Sequence, residues 1–176
     1  MIRLGAWIDR TWEFVLPAGA FPAVLERLRG TPARVEELFA GVSEPALRGR
    51  VGGAWSAKQH IGHLDDLDEL DERRLREFLA RVPTLSAADM TNKRTHDANH
   101  NDTPTEALAL RFRTNRLALV RRMEALGAEE ISAVATHPRL RQPVRLIDWA
   151  VFVAEHDDHH LASARHAIGM ARAAGD

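Results

Sequence analysis

Glu155-His156-Asp157-Asp158-His159-His160-Leu161, close to the C-terminus, is the stretch from which the fold is read. On a helix, His156 and His160 stand one turn apart on the same face, because side chains at i and i+4 are stacked neighbours. That face also carries Trp149, Val153 and Ala164. Imidazoles buried among such residues are costly unless each nitrogen finds a partner, and a shared divalent ion is one. Neutral imidazole nitrogens bind such an ion at about 2.0–2.1 Å. One helix alone rarely holds a metal, so a third ligand must come from elsewhere. His63, within Trp55-Ser56-Ala57-Lys58-Gln59-His60-Ile61-Gly62-His63-Leu64, is the best donor. The reading is a helical bundle built around His63, His156 and His160. A chance surface pair is the usual meaning of an isolated HxxxH; the second histidine motif tips the balance here.

The rest of the chain is consistent with a bundle. Its 176 residues suit one domain with a well-buried core. Lys+Arg number 24 against Asp+Glu 25, a formal net charge of -1, so nothing draws the chain to nucleic acid or anionic lipid. Cysteine is absent, which excludes disulfides, iron–sulfur clusters, thiolate zinc sites and a cysteine nucleophile. Any thiol chemistry must therefore borrow its sulfur from a small molecule. No apolar run approaches the roughly 20 residues that span a bilayer. The first residues, with Asp9, Arg10 and Glu13 among the apolar ones, do not read as a signal peptide. A cytoplasmic protein is expected.

Four long helices are predicted. Residues 1–30 read as an N-terminal extension, with Trp7, Trp12 and Phe14 packing onto the body, and a short helix ending at Gly30. Thr31-Pro32 then restarts the first bundle helix, Pro being tolerated at the first helical position. The bundle spans residues 31–172. Ser56-Ala57-Lys58-Gln59 fits a capping box opening the second helix, which Pro83 stops. Asp65, Asp66, Asp68, Asp71 and Glu72 read as its wet face. Residues 84–102 form a polar connection, longer than an idle loop usually is. Thr103-Pro104-Thr105-Glu106 is a second capping box, and the helix after it stops at Gly127. The last helix begins at Leu146. No run suggests a β-sheet. The expected class is all-α, an antiparallel four-helix bundle over 1–176, with its ligand site on facing helices.

Around the three proposed ligands, further candidates stay open. His159 lies about 60° round the helix from His156 and is a proton carrier or substrate contact. Asp66 could orient an imidazole, or simply be solvated. His96 and His100 lie in the polar connection, where exposure is the ordinary reading and a lid over the site the alternative. His60 flanks His63, and His137 and His166 carry no usable signal. Among the arginines of the third helix, Arg116 is the candidate anion contact.

Three neutral imidazoles leave a divalent ion at least one open position, which separates a working site from a structural one. Zinc or nickel suits imidazole. Such an ion lowers the pKa of a bound water or thiol. Spacing leaves two reactions open: hydrolysis by a metal-activated hydroxide, and attack by a metal-activated thiolate of a low-molecular-weight thiol on an electrophile. A non-enzymatic metal-binding stress protein is the third possibility.

At these residues the chain resembles the DinB-like, or YfiT-like, family of bacterial metal-binding four-helix bundles. The resemblance rests on Trp55-Ser56 with His63-Leu64 and Asp66, on Thr103-Pro104-Thr105-Glu106-Ala107, and on His156-Asp157-Asp158-His159-His160, with Leu25-Glu26-Arg27-Leu28-Arg29-Gly30-Thr31-Pro32 similar to the family's first helix. It implies a bundle with long crossover connections, a metal triad at His63, His156 and His160, and nickel or zinc. It also implies bacillithiol- or mycothiol-dependent transferases among relatives, metal-dependent hydrolase as a frequent label, a small-molecule substrate, and a homodimer. Gln59 and Ser163 depart from the acid and the Gln that many relatives carry there, which leaves the ligands intact and puts the substrate in doubt.

Overall fold

The computed structural model describes residues 5–175. Two short 3-10 turns, Trp7–Asp9 and Ala18–Ala20, precede α1 (Phe21–Phe39) and α2 (Glu44–Arg48). Then come α3 (Ala57–Leu79), α4 (Lys93–Asp97), α5 (Thr105–Glu124), α6 (Ala128–Ile131), the strands β1 (Val134–His137) and β2 (Gln142–Arg145), and α7 (Leu146–Gly175). The four long helices make the bundle. α1 packs on α5 and α7, and α3 packs on the same two, so α1 and α3 face each other diagonally. The α1–α3 connection therefore crosses the end of the bundle. Among the described residues no helix is long and apolar enough to cross a membrane.

The sequence pattern placed α3 well. Ser56 Oγ accepts from the Gln59 backbone N–H at 3.1 Å, and Gln59 Oε1 accepts from the Ser56 N–H at 3.0 Å. At the other end, Arg81 turns left-handed (φ 55°), and the N–H groups of Arg81 and Val82 bond the carbonyls of Phe78 and Glu77. This is a Schellman closure without its usual glycine. The second expected capping box does not form. Thr105 is the first helical residue, and its hydroxyl bonds Glu44 instead of an α5 backbone group.

Three expectations are corrected. First, Gly30 and Pro32 do not divide the N-terminal region from the bundle: α1 runs through both. Pro32 forfeits one helical hydrogen bond, yet Leu28, Thr31, Pro32 and Val35 are all buried. Burial of this stretch against the other bundle helices outweighs the local cost of about 3 kcal/mol. Second, β1 and β2 form an antiparallel hairpin, Ala135 opposite Val144 and His137 opposite Gln142. Thr84 joins it through a parallel bridge to Thr136. Four-residue strands, one containing Pro143, are too short to carry a readable alternation. Third, Asp65, Asp66, Asp68 and Asp71 are buried, not on a wet face.

That burial reflects how the core is layered. One apolar cluster includes Leu28, Leu75, Phe78, Leu119 and Trp149; a second includes Val35, Leu64, Phe112 and Ala164. Leu28, Leu75 and Leu119 are sealed from solvent, and truncating any one to Ala should cost about 2–5 kcal/mol. Between the clusters, every bundle helix contributes a polar residue: Thr31, Asp68, Arg116 and Asp157. Arg116 Nη1 donates to Asp157 Oδ2 at 3.0 Å, and its Nη2 lies 3.0 Å from Asp68 Oδ1. Thr31 Oγ1 donates to the same Asp157 oxygen at 2.9 Å.

A candidate metal centre

This ionic layer fixes the rotation of α7 and so aims its histidines. Asp157 is held from within by Thr31 and Arg116. On the α1 side, Arg27 bonds Glu155 at 2.7 Å and Asp158 at 2.5 Å, and Arg34 bonds Asp158 at 2.5 Å. The acids of the EHDDHH stretch thus anchor α7 to α1 and α5. His156 and His160 are left facing α3. His63, His156 and His160 each present one nitrogen within 4.8 Å of the other two. Their ring centres lie 4.4–5.4 Å apart.

Hydrogen bonding decides which nitrogens face inward. Thr95, in α4, donates its hydroxyl to Asp66 Oδ2 at 2.9 Å, and that carboxylate can only accept. Thr95 Oγ1 lies 3.0 Å from His63 Nδ1 and must therefore accept from it. The proton sits on Nδ1, and the Nε2 lone pair of His63 is free. His100 Nε2, 2.8 Å away, bonds the same Asp66 oxygen. On α7, His160 Nδ1 lies 3.0 Å from His60 Nδ1, and with His160 as donor its Nε2 is likewise free. His160 Nε2 and His156 Nε2 are 3.1 Å apart. Two ligand nitrogens on one tetrahedral ion would be about 3.3 Å apart at ordinary bond lengths. Facing lone pairs at that separation repel each other, and a cation between them relieves the repulsion. The donor set fits a divalent ion.

The titration behaviour agrees. Burial drives His63 down to about 4, with Asp66 opposing, and drives His60 to about 4 as well. His156 and His160 are pushed well below the ordinary range by burial and by their neighbouring imidazoles. All are neutral at neutral pH, as ligands must be. For Asp66, burial raises and hydrogen bonds from His100 and Thr95 lower; the bonds prevail, and it stays an anion.

A cavity of about 560 Å³ opens onto the triad. Leu67, Leu70, Met90, Phe152 and Val153 give it an apolar wall, and Trp7 packs edge-on to the His156 ring at 4.9 Å. His159 lines the cavity, half-buried. Burial and then Arg10 lower its pKa. Arg116 is not among the lining residues. Its guanidinium is enclosed between Asp68 and Asp157, and burial and those acids occupy the charge expected to meet an anion. His96 and His166 are exposed. His100, by contrast, is 1% exposed, its ring filling the space that a Cβ on Gly62 would occupy.

The geometry can now be set beside known proteins. The family model described as the DinB superfamily matches residues 27–164. The chain belongs to the DinB superfamily. Comparison with curated proteins finds no match. Among solved structures, this DinB-superfamily chain is similar to YfiT from Bacillus subtilis, described as "a probable metal-dependent hydrolase with an unusual four-helix bundle topology". The two superpose with a TM-score of 0.78 at 14% identity, covering 90% of this chain and 91% of that one. At that identity the likeness establishes the four-helix fold. The sequence alone did not reveal the contacts that Thr95 and Asp157 make in this site. Only Gly62, one residue before His63, was a visible hint of a close approach there.

Proposed function

We propose that this DinB-superfamily protein is a metal-dependent enzyme in which His63, His156 and His160 hold a divalent ion, zinc or nickel, at the end of a substrate cavity. The observation carrying this reading is the convergence of three imidazole nitrogens within 4.8 Å of one another, with the opposite nitrogens of His63 and His160 hydrogen-bonded, on a point open to a 560 Å³ space. A closed structural site would have four protein ligands and no adjoining cavity. When bound there, the ion acts as a Lewis acid that makes a bound nucleophile more acidic. The protein's own residues do the rest. Asp66, through Thr95, keeps His63 in the tautomer that leaves Nε2 unprotonated, and His60 does the same for His160. The apolar wall excludes water from the reacting groups, and His159 is placed to carry a proton.

The nucleophile we favour is a low-molecular-weight thiol, of the bacillithiol or mycothiol kind, transferred to an electrophilic small molecule. Support comes from the cavity of about 560 Å³ beside the triad, which has room for a thiol and a small electrophile; as the chain has no cysteine, the thiol would enter as a cosubstrate. Hydrolysis is the second reading, supported by the printed description of YfiT. Untagged protein, analysed for metal and then assayed against electrophiles with and without thiols, separates the two. Thiol-dependent turnover lost in His63→Ala together with the metal is the expected result. Turnover needing metal but indifferent to thiol would select hydrolysis. Stoichiometric metal with no turnover on either substrate type would leave a metal-binding protein.

A further inference from the structure

One part of the cavity plays no role in holding a metal. Arg139, in the hairpin turn between β1 and β2, lines the cavity with its guanidinium beside the rings of Trp7 (5.5 Å) and Phe152 (5.2 Å). None of its three guanidinium nitrogens has a hydrogen-bond partner, although all three are shut off from bulk water. No carboxylate among the described residues lies within ion-pair distance of it. Beside it, His137 Nε2 is likewise buried without a partner, its ring 4.9 Å from Phe152. An enclosed guanidinium costs free energy unless it is paired, and π faces replace only part of what water supplied. A fold normally tolerates such a group where a ligand completes it.

We propose that Arg139 is the anion-recognition residue of this cavity and that the substrate is a small molecule with an apolar body and a single carboxylate. The inference rests on the enzymatic reading above and names its substrate class. Several features select the ligand. The planar fork of an arginine matches a carboxylate with two parallel N–H···O bonds. Among the described residues lining the cavity, Arg139 is the one full fork available, since Arg74 already gives Nε and Nη2 to the Ser86 carbonyl at 3.0 and 2.9 Å. Asp71 lines the same space, so a dianion such as a phosphate monoester would meet repulsion as well as attraction. Leu67, Leu70, Met90 and Val153 suit the apolar body. The reach is right too. Trp7 touches both Arg139 and His156, at 5.5 and 4.9 Å, so the fork lies within about 10 Å of the triad. A carboxylate held there puts the far end of a small molecule at the metal ligands.

Benzoate and its uncharged isostere benzamide test this by ligand-observed NMR titration of the full chain, as purified and after chelator treatment. Benzoate is expected to bind at least tenfold more tightly than benzamide in both states. Arg139→Gln should erase the difference while leaving metal content unchanged, and should leave Tm unchanged or higher, because it removes an unpaired buried charge. His160→Ala should lose metal and keep the benzoate preference. Equal affinity of the two probes in the unaltered chain overturns the proposal, as does a preference that survives Arg139→Gln. A Tm loss of several degrees in Arg139→Gln also overturns it, showing a guanidinium held for the fold. Absence of metal from a chain that still prefers benzoate would count against the metal centre alone.

Discussion

Thr95→Val is the most direct test of how the metal centre is held. Thr95 is 2% exposed and is not one of the three proposed ligands, yet its hydroxyl is the link from Asp66 to His63. Valine keeps the shape and removes both bonds. The His63 Nδ1–H then loses its acceptor, and Asp66 keeps only His100 as a close partner, with Arg94 Nε at 3.4 Å. An unpaired buried polar group costs about 1–3 kcal/mol. In a domain of this size that lowers the Tm of metal-free protein by about 2–4 °C per kcal/mol. The larger effect is on the metal. Without its acceptor His63 is free to turn and to change tautomer, and loss of such an orienting partner typically weakens metal affinity about 10–100-fold, or about 1.4–2.7 kcal/mol. Competition titration of zinc against a chromophoric chelator measures it, with Thr95→Ser as the control that restores the hydroxyl. A Thr95→Val protein whose zinc affinity stays within twofold of the parent's would refute the orienting chain.

Three other outcomes follow from the same contacts. Arg116→Met should destabilise the fold by about 3–5 kcal/mol in urea unfolding, because it leaves Asp68 and Asp157 buried without their counter-charge; Arg116→Met with Asp68→Leu should recover part of the loss. Gly62→Ala places a Cβ 2.2 Å from the His100 ring, so His100 must leave Asp66; zinc affinity should fall even though alanine is the better helix former, and unchanged affinity would show that His100 is dispensable. Metal-free protein should lose stability as the pH drops from about 6.5 to 4. His60, His63 and His137 titrate near 4 when folded and near 6.5 when unfolded, so the unfolded chain binds more protons across that window. Each shift corresponds to an upper bound of about 3 kcal/mol. Asp68, Asp71 and Asp157, all raised by burial, act in the opposite sense, but they stand against six lowered histidines, since His156, His159 and His160 are depressed as well. A urea midpoint flat between pH 6.5 and 4 would contradict the buried neutral imidazoles.

The capping box of α3, the apolar period of α3 and α7, and the pairing of His156 with His160 were legible because they are local. They depend on 3.6 residues per turn and on which residue types satisfy a helix end, and neither needs knowledge of a partner element. His63 was reached by one step further, since a metal needs a third ligand. The acids of α3 were misread for the opposite reason. Asp65 and Asp68 look like a solvated stripe by themselves, as Arg116 does on α5, and only the packing of α3 on α5 buries both acids and sets Asp68 against Arg116. Thr95, His100, His137 and Arg139 sit in connections and in a hairpin too short to show a period. Their places were decided by chain segments distant in sequence closing over the bundle, so the amino-acid sequence determined the frame and the three histidines of the candidate site, and tertiary structure alone determined what orients those rings and what lines the cavity.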